Sequence, residues 1–562
     1  MSRQDEADEL VRLYNGLRTQ RDELAKTWQF ARWYLLPNRV DDLRFRPSDF
    51  VGRVRNGAAR MACARLAGAH MSHIVTSHEP WFKWVARPGD VAEEDEDEAN
   101  AWYGKCSDIA LMELTRSNFY SEIYECFLDR VGMGTGSLYC GPGRSGRLLF
   151  KAISPEQICG EVDDEGRVVV FVREMLLSAY DVVDLFGRAA LSEGMAADYR
   201  QGGAGMYEKK WVVLHVVRRA KKPKMGRGWE SFYVDQQGKR VMRREMEWEM
   251  PYMATRWKMN GSSFFGFAPW QDVEGEVRGV EEIEKDLEKA RRVAIDPRIL
   301  TAAKLVGEVD LRAGGKTLVD PNLLQDGGVL LPKEWAAVGD VSLSYKQLAD
   351  KEQRIKDAFL VPMLELFAYD EGKKGFPTAT EVMARENQYL LQFFPSFVQF
   401  AYDVQPTLDR VFMVLYRAGV FPDPPDCVKK DVIRNDSVVG TALKNPGVTY
   451  NNKVALVLKR IESDAFAAAL REAVEFGEAV PDLLDHLDVD RGMRARLRSL
   501  GVSEDSIREN IEVEEMRRKK NAAVKDEEEL RLREAGASVM KDEAAAAKMA
   551  AEAQGGRGVV DL

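Results

Sequence analysis

A few segments of this 562-residue chain carry residue types that could do chemistry. In Val131-Gly-Met-Gly-Thr-Gly-Ser137, the glycines at 132, 134 and 136 are spaced like a phosphate cradle. Such a cradle needs a strand, then glycines, then a helix N-terminus whose free N–H groups face the phosphate. Here helical periodicity precedes the glycines and a strand-like run follows, so the order predicts a tight turn. Arg312-Ala-Gly-Gly-Lys-Thr317 echoes the end of a P-loop, but Asp310 stands where its first glycine belongs and no helical pattern follows. Cys63, His70, His73 and His78 bring metal-ligating types together, with His70 and His73 on one helix face. HExxH and related patterns are absent, so structural histidines are expected and no metal. With five histidines in all, no GxSxG and no carboxylate pair singled out by spacing, the sequence predicts neither an enzyme nor a cofactor. Gly372-Lys-Lys-Gly375 differs in kind. It reads either as a flexible surface turn or as a mobile basic fingertip aimed at a polyanion.

The elements around these segments follow from periodicity. Residues 4–35 show a helical stripe of Leu10, Leu13, Leu17 and Leu24, stopped by Pro37; residues 57–75 form a second, Ala-rich helix. The acidic run Glu93 to Glu98 reads as a solvated turn or helix start. Another helical region spans Trp102 to Phe127 and ends at Gly132. Segments 147–152, 167–174, 211–219 and 230–235 are short, rich in Val, Phe, Leu and Tyr, and bounded by turns. No helix of crossover length separates every pair, which predicts a mostly antiparallel sheet in an α+β domain. Val273, Val277, Val280, Ile283, Leu287, Ala290 and Ala294 then mark one apolar stripe on a long charged helix, closed by Asp296-Pro297. Residues 298–343 read as strand and turn. A second charged helix covers about 344–360, with Tyr345, Leu348, Ile355 and Phe359 on one side. A small β module at the tip of an antiparallel helix pair is the natural geometry. Thr378-Ala-Thr-Glu381 reads as a capping box opening a helix over about 378–419, with kinks expected at Pro395 and Pro406. After Asp423-Pro-Pro425, helices are expected to resume at Ser463; from about 502 a solvent-facing helix grades into a disordered tail after Gly555.

Composition bounds the function. Hydrophobic residues make up 45% and charged residues 31%, enough for a real core and for three or four domain-sized units or one elongated subunit. A net charge of −10 argues against a protein that grips nucleic acid through a broadly basic surface, though not against one past which nucleic acid slides. Six scattered cysteines form no CxxC, which fits a reducing compartment. The start, MSRQDEADEL, has no apolar signal core, and the aromatic stretch 387–402 is too short and polar for a bilayer. A soluble protein with no membrane partner is expected.

The order of parts resembles the head-to-tail connector, or portal, proteins of short-tailed double-stranded DNA bacteriophages. The resemblance is carried by Ala58 to Leu66 with Trp81-Phe-Lys-Trp84, by Gly134-Thr-Gly-Ser-Leu138 with Leu149-Phe-Lys-Ala152 and Gly166 to Glu174, by Arg256-Trp257 with Gly266 to Trp270, by Thr378-Ala-Thr-Glu-Val382, and by Leu415 to Pro425. It implies a largely helical α+β ring subunit, with a mostly antiparallel sheet in a wing and a small β module in a clip. Residues 1–272 and 378–455 would form the wing, 273–296 and 344–366 the stem, 297–343 the clip, 367–377 a tunnel loop, and 456–562 a crown and helical tail. It further implies a homo-oligomer of about twelve subunits at one capsid vertex of the virion, assembled in the host cytoplasm. Double-stranded DNA would pass through weakly bound. The large terminase subunit would dock as motor, tail adaptor proteins would replace it, and major capsid and scaffolding proteins would meet the wing. The residues implied are Tyr369, Asp370, Glu371, Lys373, Lys374 and Phe376 in the tunnel loop, and Lys285, Lys289, Arg291, Arg292, Lys351 and Arg354 in the channel. Arg298, Lys304, Arg312 and Lys316 are implied in the docking clip. A lone stem hairpin is expected to need neighbouring subunits to cover its apolar stripe. A helical scaffold or adaptor of a viral assembly, without a channel, accounts for the charged helices equally well. It leaves unexplained the β module between two helices followed by a Gly-Lys-Lys-Gly tip. A hydrolase is supported by size alone.

Overall fold

The computed structural model describes residues 3–37, 39, 54–143, 147–224, 227–259, 261, 263–295, 299–300, 333–334, 342–364, 379–434, 437–477, 488–499, 513, 515–522 and 540–549. They fall into two compact units, Met1–Ala455 and Leu456–Leu562.

The chain begins with α1 (Arg3–Tyr34), α2 (Ala58–His73), β1 (Phe82–Val85), α3 (Glu96–Arg116) and α4 (Phe119–Met133). It continues through β2 (Thr135–Pro142), β3 (Leu148–Ala152), β4 (Ile158–Val162), β5 (Val168–Ser178), α5 (Ala179–Phe186), α6 (Glu193–Gln201) and α7 (Gly203–Glu208). Then come β6 (Lys210–Lys224), β7 (Arg227–Asp235), β8 (Arg240–Glu247), β9 (Tyr252–Arg256), α8 (Glu274–Ile295), β10 (Ile299–Leu300), β11 (Lys333–Glu334), α9 (Ser342–Ala358), α10 (Val361–Leu364) and α11 (Ala379–Arg417). The last are β12 (Lys429–Arg434), β13 (Ser437–Leu443), β14 (Gly447–Tyr450), α12 (Lys453–Gly477) and α13 (Val489–Ser499). Every strand pair is antiparallel: β4-β5-β6-β7-β8 in one sheet, β3-β2-β9 in another, and the pairs β1-β14, β10-β11 and β12-β13. The α+β class and its antiparallel character are as the sequence predicts.

β6 shows why the larger sheet forms. Its core reads Trp211-Val-Val-Leu-His-Val-Val217, an apolar run without strict alternation. Neighbouring strand residues face opposite ways, and here both faces are covered. Leu214 and Val216 meet Ala7, Leu10, Val11 and Tyr14 of α1. Trp211 and Val213 meet Val182, Leu191 and Met195 of the α5–α6 segment. That segment, absent from the sequence reading, opens on a capping box: Ser178 Oγ accepts from Asp181 N at 3.2 Å and Asp181 Oδ2 accepts from Ser178 N at 2.8 Å.

Two helix boundaries correct the sequence reading. The region from Trp102 to Phe127 is two helices, because the Asn118 amide exchanges hydrogen bonds with the backbone of Phe150 (2.7 and 3.0 Å) and holds the chain to β3. Ser463 is not a helix start. α12 begins ten residues earlier in the chain, at Lys453, where Asn452 Oδ1 accepts from Ala455 N at 2.9 Å in the manner of an N-cap. The Thr378–Glu381 capping box, the P-loop echo and the tail after Gly555 lie outside the described residues.

The glycine cluster is a helix-to-strand turn, as predicted. Gly134 ends α4 at φ 84°, where a Cβ would stand 2.2 Å from the Gly266 carbonyl oxygen. This backbone crossing requires glycine both for its left-handed φ and for its closeness.

Two histidines, His70 and His215, are buried in the core. His70 is buried, with Nδ1 2.8 Å from Leu66 O and Nε2 3.3 Å from Ser396 Oγ. Burial lowers His73 to about 4 and His215 to about 3. His215 pairs with Tyr252 Oη and, at 2.9 Å, with Ser231 Oγ. Cys63 is also buried, its thiol pushed up to about 12. Neutral His215 in the fold, against a chargeable histidine when unfolded, contributes stability above about pH 6.5 that is lost as pH falls toward 3. Replacing His215 with Gln is expected to flatten the acid limb of the stability curve by up to about 1.4 kcal/mol per pH unit. Urea titrations at pH 4 to 7 check this; parallel limbs for the two proteins would refute it.

Candidate functional site

The helices α8 and α9 form the element in which the sequence concentrates charge. Arg291 lies against Tyr345 (Nε to Oη 3.3 Å), Lys351 against Gly279, and Arg354 against Glu276 at 3.5 Å. Residue numbers rise on one helix as they fall on the other, so the pair is antiparallel. β10 and β11, which follow α8 and precede α9, pair antiparallel beyond them. Val277, Val280 and Leu287 of α8 are buried, as are Leu348, Ile355 and Phe359 of the second helix and its end. The stripe predicted to await neighbouring subunits is thus covered largely within the chain, because α9, itself backed by α2, packs on it and completes what α8 alone could not bury. What stays exposed lies toward the outer end: Ile295 at 85%, Leu343 at 61% and Tyr345 at 44%.

The inner end is anchored by Trp270, fully buried, whose Nε1 donates to Gly132 O at 2.8 Å and whose ring stacks on Phe30 at 4.6 Å. Arg278 lies over the other side of this root, 4.7 Å from the Phe30 ring centroid and paired with Glu274. Arg55 and Asn56, which sequence reasoning missed, lash the two helices together. Both backbone N–H groups donate to Glu281 at 2.8 Å, and Asn56 Nδ2 donates to Glu352 at 2.6 Å. Arg55 Nε reaches Glu288 at 2.9 Å, holding that carboxyl below its ordinary range together with Arg292. No local pattern signals this strap, since its partners are more than 200 residues away in sequence.

Of the predicted channel cations, Lys289 pairs with Asp286 at 3.0 Å, Arg292 with Glu288, and Arg354 with Glu276. Arg291 is spread on Tyr345, 5.8 Å from the ring centroid. Lys351 fills the space left by Gly279, its Nζ 2.9 Å from where a Cβ would stand. Lys285 is exposed and has no ion pair among the described residues. Such i, i+3 and i, i+4 pairs at solvent-exposed sites contribute little to stability. Their main effect is to leave a surface of alternating sign. The predicted tunnel-loop residues Tyr369, Asp370, Glu371, Lys373, Lys374 and Phe376 lie outside the described residues, as do Arg298, Lys304, Arg312 and Lys316.

α11, which follows that loop in sequence, is pinned by buried arginines. Arg130 of α4 donates to Ser396 Oγ (3.1 Å), Ser396 O (2.8 Å) and Arg256 O (3.1 Å). Arg256 Nη2 donates to Gly166 O at 2.7 Å and lies 3.3 Å from Asp403, whose carboxyl burial pushes up. Arg410 donates to Cys140 O and Glu249 O, both at 2.8 Å, and pairs with Glu247. Burial lowers Arg130 to about 10. Among the described residues no group of three potential metal ligands converges, and no helix is long and apolar enough to cross a membrane.

Comparison with known proteins identifies the family. The family model described as bacteriophage head to tail connecting protein matches residues 7–507. The chain is similar to the probable portal protein of Bordetella phage BPP-1, at 23% identity over 527 residues covering 90% of each chain. It is also similar to the portal protein of Salmonella phage epsilon15, at 21% identity over 456 residues covering 79% of this chain and 78% of the other. With its helices, antiparallel sheets and helix pair inside the matched span, this chain belongs to the bacteriophage head to tail connecting protein family.

Proposed function

We propose that the chain is the portal subunit of a phage head, and that copies of it ring an open axis through which the genome is packaged and ejected. The observation that supports this most is the family match over residues 7–507, which contains the whole α8–α9 pair. In this reading residues 273–296 and 344–366 are the stem, 297–343 the clip that receives the terminase motor and then the tail adaptors, 367–377 the tunnel loop, and 1–272 with 378–455 the wing facing capsid and scaffold proteins. Residues 456–562 form the crown. Twelve copies is the expected number.

The electrostatics fit passage rather than capture. Each phosphate neutralised by a lysine or arginine adds counterion-release affinity. On α8 and α9 most cations are already matched by a carboxylate or spread on a ring. At a Debye length of about 8 Å, DNA would feel only the charges nearest the wall. Lys285, Lys373 and Lys374 would provide weak, renewable contacts.

Electron microscopy of the purified full-length protein tests the reading. Rings with a central hole are expected; solid particles or well-folded monomers at high concentration would overturn it. Replacing Lys373 and Lys374 with Ala should leave rings intact and alter DNA packaging or retention. Packaging equal to wild type would remove the tunnel-loop assignment alone.

A further inference from the structure

The five-stranded sheet carries a second charged feature, on an element remote in sequence from the helix pair. β5 pairs with β6 only as far as Arg218, opposite Val170. β8 pairs with β7 only from Trp229, opposite Glu247. Past those points, among the described residues, β6 and β7 have only each other as strand partners, with Lys224 opposite Arg227. Beyond Arg219, which pairs with Trp229, the register breaks and pairing resumes only at Lys224 and Arg227, so β6 and β7 run past the paired body of the sheet as a short, bulged two-stranded ribbon with residues 220–223 opposite Gly228. Such a ribbon buries little and is marginal on its own, so its composition answers to what it meets outside.

That composition is one-sided. Arg218, Arg219, Lys221, Lys222, Lys224 and Arg227 fall within ten residues that contain no carboxylate, in a chain of net charge −10. At the root Arg218 is neutralised by Glu9 at 2.9 Å and Glu230 at 3.0 Å. Beyond the root the matching stops. Arg219 and Lys221 are exposed and have no ion pair among the described residues, and Arg227 is exposed with its guanidinium over the Trp248 ring at 5.3 Å.

We propose that this ribbon is an arm that holds the phosphate backbone of duplex DNA without reading its sequence, a contact separate from the stem and tunnel loop. A protein partner would want an apolar or aromatic anchor at the centre of the patch; between Arg218 and Lys224 the only uncharged residues are Ala220, which is buried, and Pro223, and the exposed ring beside the ribbon, Trp248, has the Arg227 guanidinium over it. A run of cations with no carboxylate among them, at the end of a narrow two-stranded ribbon and with Arg219 and Lys221 exposed and free of ion pairs among the described residues, suits a polyanion, and a duplex groove about 12 Å wide admits such a ribbon. The proposal rests on the portal reading for the presence of DNA beside the protein.

The test is fluorescence anisotropy of full-length protein with a labelled duplex of arbitrary sequence, across a salt series. The variant R219Q/K221Q/K222Q/K224Q is compared with K26Q/K105Q/K239Q/K258Q, which removes the same charge elsewhere. The ribbon variant should bind roughly 10-fold more weakly or worse at low salt. Its slope of log K against log salt should shrink by about 2 to 3, since each phosphate contact contributes about 0.9. The control should stay within about twofold of wild type at low salt, as expected for lysines that make no phosphate contact. DNA affinity equal to wild type, or a loss equal to that of the control, overturns the proposal. So does a ribbon variant that loses poly-glutamate binding while keeping DNA, which would make the occupant an acidic protein. Imaging the same samples keeps the two readings apart. Rings whose DNA affinity ignores the ribbon sink the arm alone. A chain that forms no ring sinks the portal reading, while the affinity ratio still reports on the arm.

Discussion

Replacing Arg256 with Ala is expected to destabilise the first unit by about 3–5 kcal/mol, because it strands a buried carboxylate. Asp403 is 3% exposed and already held above its ordinary range by burial, with Arg256 as its main compensating charge. The Arg256 backbone N–H, 3.1 Å from Asp403, and Gln399 Nε2, also at 3.1 Å, would remain, and the charge left to compensate would be that of Arg130, a weaker attraction. The loss should appear as a lower urea midpoint with little change in slope. The double change R256M/D403L should recover much of it, since an apolar pair of similar volume removes the desolvation cost of both ions. A single variant within about 1 kcal/mol of wild type would show that water or a rearranged side chain satisfies Asp403.

The second large effect is expected at Trp270. Trp270→Ala removes a fully buried indole at the root of the helix pair, a class of change that costs about 3–5 kcal/mol. It also removes the stack on Phe30 and leaves Gly132 O without its donor. The pair α8–α9 would then lose its fixed angle to α1 and α4. The expected result is a soluble chain that forms few or no rings in electron micrographs. Trp270→Phe keeps the aromatic packing and loses only the hydrogen bond, so it should cost about 1 kcal/mol and still assemble. If the Ala variant assembled as well as the Phe variant, the root would not control ring geometry.

Both effects arise from residues whose importance local sequence signals only faintly. The helices α1, α8, α9 and α11 are legible because their apolar residues recur at intervals of three and four. That spacing reports which face is buried whatever the partner turns out to be. The strands of the large sheet were legible where Val and Phe cluster between turns. Their helical cover, α5 to α7, was not inferred, although Ser178-Ala-Tyr-Asp181 spells out its cap. The strand pair β1–β14 joins Phe82 to Tyr450, and β2–β9 joins Thr135 to Arg256; such pairings have no local trace. The cations between 218 and 227 were not singled out in the sequence reading, and only the strand register shows that β6 and β7 extend past their neighbours there.

By itself, then, the sequence determined the α+β class, the charged helix pair, the turn at Gly134 and the family, since each depends on residues within a few positions of one another or on their order along the chain. The tertiary structure alone decided that Arg130, Arg256 and Arg410 are interior cross-links, that Arg55 and Asn56 strap the helix pair, and that the α8 stripe is covered largely within one chain. The physical reason is desolvation. Whether a charge is interior, and what compensates it, is set by groups more than 100 residues away, such as Asp403 147 positions beyond Arg256, and no periodicity in the chain encodes that distance.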